Sequence, residues 1–504
     1  MKNSLRLIII IAFLFSSSFA QFGKNKVQYK KQNWYYIQTK HFDLYFTKEG
    51  VKIADFAAHF AEKALDSLQN SLKYSILNRI TIILTNSFND FQETNTIDEE
   101  ISEGIGGFTE LFKNRVVIPF EGDYAKFRHV LHHELTHAVM NDMFFGGSIQ
   151  NIISKNLNFD LPLWFIEGMA EYQSLKWDKH TDMFVRDALI NEFMPNLTEL
   201  NDYFAYRGGQ SVLYYIYKKY GDEKIAEITN KARSTGRLET AFKLTLGMDF
   251  EEFNDKWRKE LKKMYFPDVK DRKYPDEFSK KLTNHKKDGG FYNTSPAISP
   301  QGDKIAFITN RDIFFSIYLM SAIDGKIIKR VLLGNTTNDF EDLNILTPGL
   351  TWSPDGKFLA FSASSEGYDI IYKVDIEKDK FEKLPFKFLG ISSVSWSPDG
   401  NKIAFVASNS SQSDIYIYDF TTNELTNVTN DIFSDSDPSW DPFSRYIVFS
   451  SDRGDFVSGV DDTFAIKIHN FYQKDLYLYD IKAKKIVRVT NIPDADETSP
   501  IFLN

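Results

Sequence analysis

A Ser/Asp-Pro pair returns at positions 299, 353, 397 and 441, spaced 54, 44 and 44 residues apart, and no other feature limits the possible folds so sharply. Its surroundings return with it. Thr351-Trp-Ser-Pro-Asp-Gly-Lys-Phe-Leu-Ala-Phe361 is matched by Val394-Ser-Trp-Ser-Pro-Asp-Gly-Asn-Lys-Ile-Ala-Phe405, by Asn293 to Phe307, and more loosely by Pro438 to Phe449. Proline fixes φ and glycine accepts positive φ, so Pro-Asp-Gly closes a tight turn between two strands. A third strand follows in each repeat (Ser316–Met320, Asp369–Lys373, Asp414–Tyr418, Asp475–Tyr479) and then a fourth, such as Lys484–Thr490. Four strands at a period in the forties predict the blades of an all-β propeller, with the tryptophans stacked between blades. The fourth repeat carries an insertion around Gly454 to Asn470.

The half of the chain before the repeats is organised differently. Tyr124 to Phe145 reads YAKFRHVLHHELTHAVMNDMFF, with Phe127, Val130, Leu131, Leu135 and Ala138 at helical spacing and no Gly or Pro. Within it, His133 and His137 fall one turn apart on one face, and Glu134 follows the first histidine. Two imidazoles so placed can bind one metal ion, with Glu134 beside it as a general base. Before this helix, Trp34–Phe46 reads as a strand pair, Gly50–Tyr74 as a helix, Arg79–Thr85 as a buried strand, and Gly104–Phe120 as two strands joined near Lys113-Asn114. A strand beside such a helix can pair with an extended peptide, or be an ordinary edge strand.

Beyond a polar stretch from Gly146 to Asp160, Leu161-Pro-Leu-Trp-Phe-Ile-Glu-Gly-Met-Ala-Glu-Tyr172 opens a second helix at Pro162. Glu167 and Glu171 lie four apart on one face of it, so either can ligate the ion while the other orients a ligand histidine. HELTH followed by LPLWFIEGMAEY resembles the gluzincin metallopeptidases of the thermolysin-like MA clan. That resemblance implies an α+β peptidase domain with one Zn2+ held by His133, His137 and Glu167, Glu134 as general base and Glu171 behind the ligands. It extends through a helix over Phe204–Gly221 and a closing helix over Leu246–Tyr265, covering about Tyr29 to Tyr265. Tyr206 is the candidate for stabilising the oxyanion of the tetrahedral intermediate, with Tyr203 close by and a structural role for Tyr206 the alternative. The thirty-residue step from His137 to Glu167 is longer than in the aminopeptidase branch, and GGFTE stands where that branch recognises a free amino terminus. An endopeptidase is therefore expected. The repeats resemble the WD40-like units of TolB-type propellers.

Residues 1–20 combine Lys2 and Arg6, an apolar run from Leu7 to Phe15 and small residues ending at Ala20. This is the pattern of a signal peptide cleaved after Ala20, so the protein is expected to be exported to the periplasm or beyond the cell envelope, with no transmembrane segment after cleavage. Cysteine is absent, which excludes disulfides and leaves histidine and carboxylate as the available strong metal ligands. A formal charge of -9 argues against a nucleic-acid partner. The expected division is a peptidase domain over 21–265, a linker over 266–290, and propeller repeats over 291–504 comprising four blades and the start of a fifth. Lys281–Thr283 matches the last strand of a blade and Asp496–Asn504 the first, so the two ends either share one blade or belong to a longer protein. The leading reading is a zinc peptidase acting on peptides or proteins, with a propeller that engages substrate, a protein or a polymer. The alternative is a cell-envelope binding or scaffold protein whose peptidase fold is inactive.

Overall fold

The computed structural model describes residues 26–503 except 96, 98–100, 102, 111–113, 147–160, 313, 347–348, 461–463, 465 and 494. Residues 1–20, read above as a signal peptide, and most of the polar stretch between the two site helices lie outside the described residues. The first domain is built on a sheet of β1 (Trp34–Gln38), β2 (Phe42–Thr47), β3 (Ile80–Thr85), β4 (Phe108–Glu110) and β5 (Arg115–Pro119), in the order β1-β2-β3-β5-β4. β2, β3 and β5 run parallel, whereas β1 and β4 pair antiparallel at the two edges. Alternation along these strands sends Phe42, Leu44, Ile82, Val116 and Ile118 into the main core against the helices. Val117 and Phe108 face the other way and pack with Phe91.

Helices α1 (Val51–Leu72), α2 (Phe88–Gln92), α3 (Tyr124–Phe145), α4 (Leu163–Leu175), α5 (Lys179–Ile190), α6 (Tyr203–Tyr220), α7 (Asp222–Thr235), α8 (Leu238–Leu246) and α9 (Phe250–Val269) complete the domain. α1 buries Ile53, Ala57, Ala61, Ala64, Leu65, Leu68 and Leu72, a stripe at helical spacing. α3 begins where the Asp123 carboxylate accepts the Lys126 N–H at 2.9 Å, and ends at Gly146 with φ 65°. The closing helix starts at Phe250 rather than Leu246, because Leu246 ends α8 and Gly247 follows in the left-handed region. Sequence periodicity was not assigned to α5, α7 and α8.

α4 and α6 touch through their backbones. A methyl group on Gly209 would overlap the Trp164 carbonyl oxygen and stand 2.9 Å from Gly168 Cα. Glycine on both sides of the crossing is what lets the helix bearing Glu167 and Glu171 lie directly on the helix bearing Tyr206.

Four sheets follow among the described residues, the second of five strands and the others of four. They comprise β6 (Asn293–Ile298), β7 (Lys304–Asp312), β8 (Phe314–Ser321) and β9 (Ile327–Leu333); β10 (Asp342–Leu343) with β11 (Thr351–Trp352), β12 (Phe358–Ser365), β13 (Tyr368–Asp375) and β14 (Lys380–Lys383); β15 (Gly390–Trp396), β16 (Lys402–Ser408), β17 (Ser413–Asp419) and β18 (Glu424–Asn427); and β19 (Asp435–Trp440), β20 (Tyr446–Ser451), β21 (Asp475–Asp480) and β22 (Lys485–Arg488). In the second, β10 and β11 together pair with β12 in the place of one first strand. The repeated turn works as its residues dictate: Ser353 Oγ donates to Asp355 at 2.6 Å and accepts the Phe358 N–H at 2.9 Å, while Gly356 takes φ 72°. The aspartate opening the third strand ties one blade to the next, since Asp369 accepts the Ile391 N–H at 2.9 Å and Asp414 the Asp431 N–H at 3.1 Å. Trp352 and Trp440 donate to Ala297 and Ser395 of the preceding blade at 3.0 and 3.1 Å, and separate apolar clusters fill each gap between blades.

Two expectations are corrected. Lys281–Thr283 forms no strand; Leu282 packs instead on Phe307, Tyr318 and Met320 of the first blade, ahead of a single turn of helix, α10 (His285–Asp288). The described residues after Asp496 likewise form no strand, and the two ends do not pair. A strand needs a partner as well as a suitable sequence, and neither segment has one among the described residues.

The first domain sits on the propeller through the start of α3. Tyr124 Oη donates to the Ser411 carbonyl at 2.9 Å, Ser413 Oγ to the Gly122 carbonyl at 2.9 Å, and Lys474 pairs with Asp123 at 2.8 Å. From the connection between β20 and β21, just after the insertion, Phe471 stacks on Tyr124 with ring centres 5.0 Å apart and meets Phe56 edge-on at 5.8 Å. Its side chain thereby joins the core of the first domain. No helix among the described residues is long and apolar enough to cross a membrane.

Candidate metal centre

Three ligand atoms form a triangle where α3 faces α4. His133 Nε2 and His137 Nε2 are 3.1 Å apart, and Glu167 Oε2 stands 3.3 Å from each. A tetrahedral ion bonded at about 2.0–2.1 Å spaces its ligands about 3.3 Å apart, so the triangle has the dimensions of one face of such a tetrahedron. Glu167 Oε2 is buried and makes no hydrogen bond of good geometry. A lone carboxylate oxygen between two imidazole nitrogens calls for a cation.

Glu171 lies behind the triangle, one helical turn from Glu167. Its Oε1 is 3.1 Å from His133 Nδ1, while Oε2 is 3.3 Å from His129 Nε2 and accepts from Arg207 Nη1 at 2.8 Å. A carboxylate on Nδ1 fixes the ring and leaves Nε2 to the ion. His129 and Arg207 were not singled out from the sequence. For His129 the signal was present, since 129, 133 and 137 form one row at helical spacing. Arg207 adjoins Tyr206, and nothing local announces its partner.

Glu134 is 5% exposed, with its Oε2 2.6 Å from Thr109 Oγ1 on β4. The Tyr206 ring lies parallel to that of His133, centres 6.0 Å apart. Burial, then the charges of Glu167, Glu134 and Glu171, raise its phenol well above the ordinary value, so it stays a donor. Tyr203 points elsewhere: it is half exposed, and its hydroxyl accepts from Arg207 Nε at 3.0 Å.

The same carboxylates set the charge of the ligands. Burial alone would disfavour the His133 cation, but the adjacent carboxylates of Glu167 and Glu171 outweigh it and push the imidazole up to about 10. Burial likewise opposes ionisation of Glu167, and its contacts with His133 and His137 bring it down to about 2. An ion needs His133 Nε2 unprotonated, so between pH 6 and 8 its entry displaces a proton from a site that holds one. Metal binding is expected to release about one proton and to tighten about tenfold per pH unit in this window. Calorimetry in buffers of different ionisation enthalpy measures the release; a buffer-independent heat would contradict it.

A second acidic group, Asp414, Asp431 and Asp435, lies in the propeller. There fully buried Arg453 bonds Asp431 and Asp435 at 2.7 Å each, and the guanidinium is itself the cation.

The fold and the site set an α+β domain with a His/Glu cluster beside a propeller array, and two family models match these two parts of the chain. Residues 60–263 match the model of the Peptidase MA superfamily, and residues 345–459 that of the TolB beta propeller domain. The chain is similar to the crystal structure of TolB from Acinetobacter baumannii, with 21% identity and a TM-score of 0.31 over 41% of this chain and 45% of that one. It is also similar to the β-propeller domain of the Trilobed protease from Pyrococcus furiosus, with 19% identity and a TM-score of 0.27 over 40% of this chain and 57% of that one. The match thus spans less than half the length of the TolB structure. No curated protein matches the chain.

Proposed function

We propose that the protein is an exported zinc-dependent endopeptidase, a reading carried by the His133, His137 and Glu167 triangle with Glu134 beside it. A zinc ion on those three residues would polarise the scissile carbonyl and acidify the attacking water. Glu134 takes the proton from that water and passes it to the leaving amine. Tyr206, kept protonated by burial and its acidic neighbours, donates a hydrogen bond to the developing oxyanion. Glu171 holds the His133 ring, and Arg207 balances the charge of Glu171. The edge of β4, unpaired among the described residues, offers backbone groups to an extended substrate.

The endopeptidase assignment rests on GGFTE, which lacks the residues expected for capture of a free amino terminus, and export rests on residues 1–20. The propeller is proposed to locate the enzyme or present a protein or polymer partner. The scaffold alternative is less favoured, because an inactive descendant has no need to retain both histidines, Glu134 and Glu167 together. Digestion of a peptide library by the purified full chain is the test. Internal cleavage is expected, lost on treatment with a zinc chelator and restored by one equivalent of zinc. Cleavage unaffected by chelation would end the zinc reading, and release of single amino-terminal residues would end the endopeptidase one.

A further inference from the structure

We infer that Thr109 is a positioning residue for Glu134, tying the orientation of the proposed base to the edge strand β4. The inference rests on the peptidase reading above. Thr109 Oγ1 lies 2.6 Å from Glu134 Oε2 and 3.0 Å from the Glu134 backbone carbonyl oxygen. A hydroxyl has one proton to give, and the shorter contact to an ionised carboxylate is the stronger acceptor.

The strand is built to make this contact. Alternation sends its two neighbours away from α3: Phe108 stacks on Phe91 at 5.4 Å, and Glu110 pairs with Arg115 at 2.7 Å. Gly107 lets the backbone lie close, since a methyl group there would stand 3.1 Å from Glu134 Cγ and 2.7 Å from Ile118 Cγ2. Among the described residues Thr109 is paired on one side only, with Val116, so its other backbone edge is the one an extended chain would use.

A glutamate free at three torsions spreads over several rotamers. The Thr109 hydroxyl engages one carboxylate oxygen and leaves the other to take the proton. Substrate pairing along β4 and the base then share one rigid element, and a substrate that seats correctly finds the base already aimed.

The test uses zinc-loaded full chain carrying Thr109→Val, which keeps the shape and removes the hydroxyl, and Thr109→Ser, which keeps the hydroxyl. Two quantities are read for each: kcat and KM on a peptide chosen from the library, and the calorimetric dissociation constant of a small hydroxamate, whose acidic hydroxyl hydrogen-bonds to the base carboxylate. Thr109→Val is expected to lower kcat about 10- to 100-fold with KM within about twofold, and to weaken the hydroxamate about tenfold, at unchanged zinc content. Thr109→Ser is expected to stay within about threefold of the parent on both measures. A Thr109→Val protein that keeps parental kcat and hydroxamate affinity overturns the inference. So does a Thr109→Ser protein as impaired as the valine variant, since the methyl group and not the hydroxyl would then matter. A parent that binds zinc and the hydroxamate but cleaves nothing overturns the peptidase reading, and the hydroxamate series still decides Thr109. A parent that binds zinc but not the hydroxamate overturns both.

Discussion

Replacing Glu134 with glutamine is expected to leave one zinc ion per chain and to reduce cleavage of a casein-type substrate by about a thousandfold. The substitution conserves shape, and the amide oxygen still accepts from Thr109 Oγ1, which stands 2.6 Å from the carboxylate now. Only the capacity to take and return a proton is lost. The two imidazoles and Glu167 are untouched, so the triangle that binds the ion remains. Metal analysis and proteolysis on the same preparation separate the two properties. Parental activity in the variant would remove Glu134 from the mechanism, and loss of zinc would mean that it helps to hold the ion.

The second large effect lies away from the chemistry. Gly209→Ala is expected to destabilise the first domain by about 3 kcal/mol, a fall of about 6–12 °C in its thermal midpoint. A methyl group at 209 overlaps the Trp164 carbonyl and presses on Gly168, so α4 and α6 must separate. α4 carries Glu167 and Glu171, and α6 carries Tyr206 and Arg207, so the same shift should weaken zinc binding about tenfold or more. Thermal unfolding with and without zinc checks both. An unchanged midpoint would show that the crossing relaxes without cost.

Much of the site was legible because it lies on helices whose periodicity is local. The His133/His137 spacing and the apolar positions around it define one face of α3, and Pro162 marks where α4 begins. The pattern alone could not choose between Glu167 and Glu171. That choice depends on where α4 crosses α3, and α4 is held against α6 by two glycines forty-one positions apart in sequence. The base's partner was hidden for a similar reason: Thr109 reads as one polar residue in an edge strand, and its contact with Glu134 arises only when strand and helix pack. The propeller was read by repetition, and the same habit misread Lys281–Thr283, where a strand-like triplet instead supplies Leu282 to the first blade.

The long connection between β20 and β21 bears on how this pairing of domains can be altered. Phe471 is rooted among Phe56 and Tyr124, and Lys474 meets the carboxylate that caps α3. A chimera given a propeller of the same blade count but without this connection would leave an aromatic-sized hole in the core of the first domain and an unmatched aspartate at the head of α3. Blades are interchangeable in outline; this one is keyed to its neighbour, so the two domains must be exchanged, or must diverge, together.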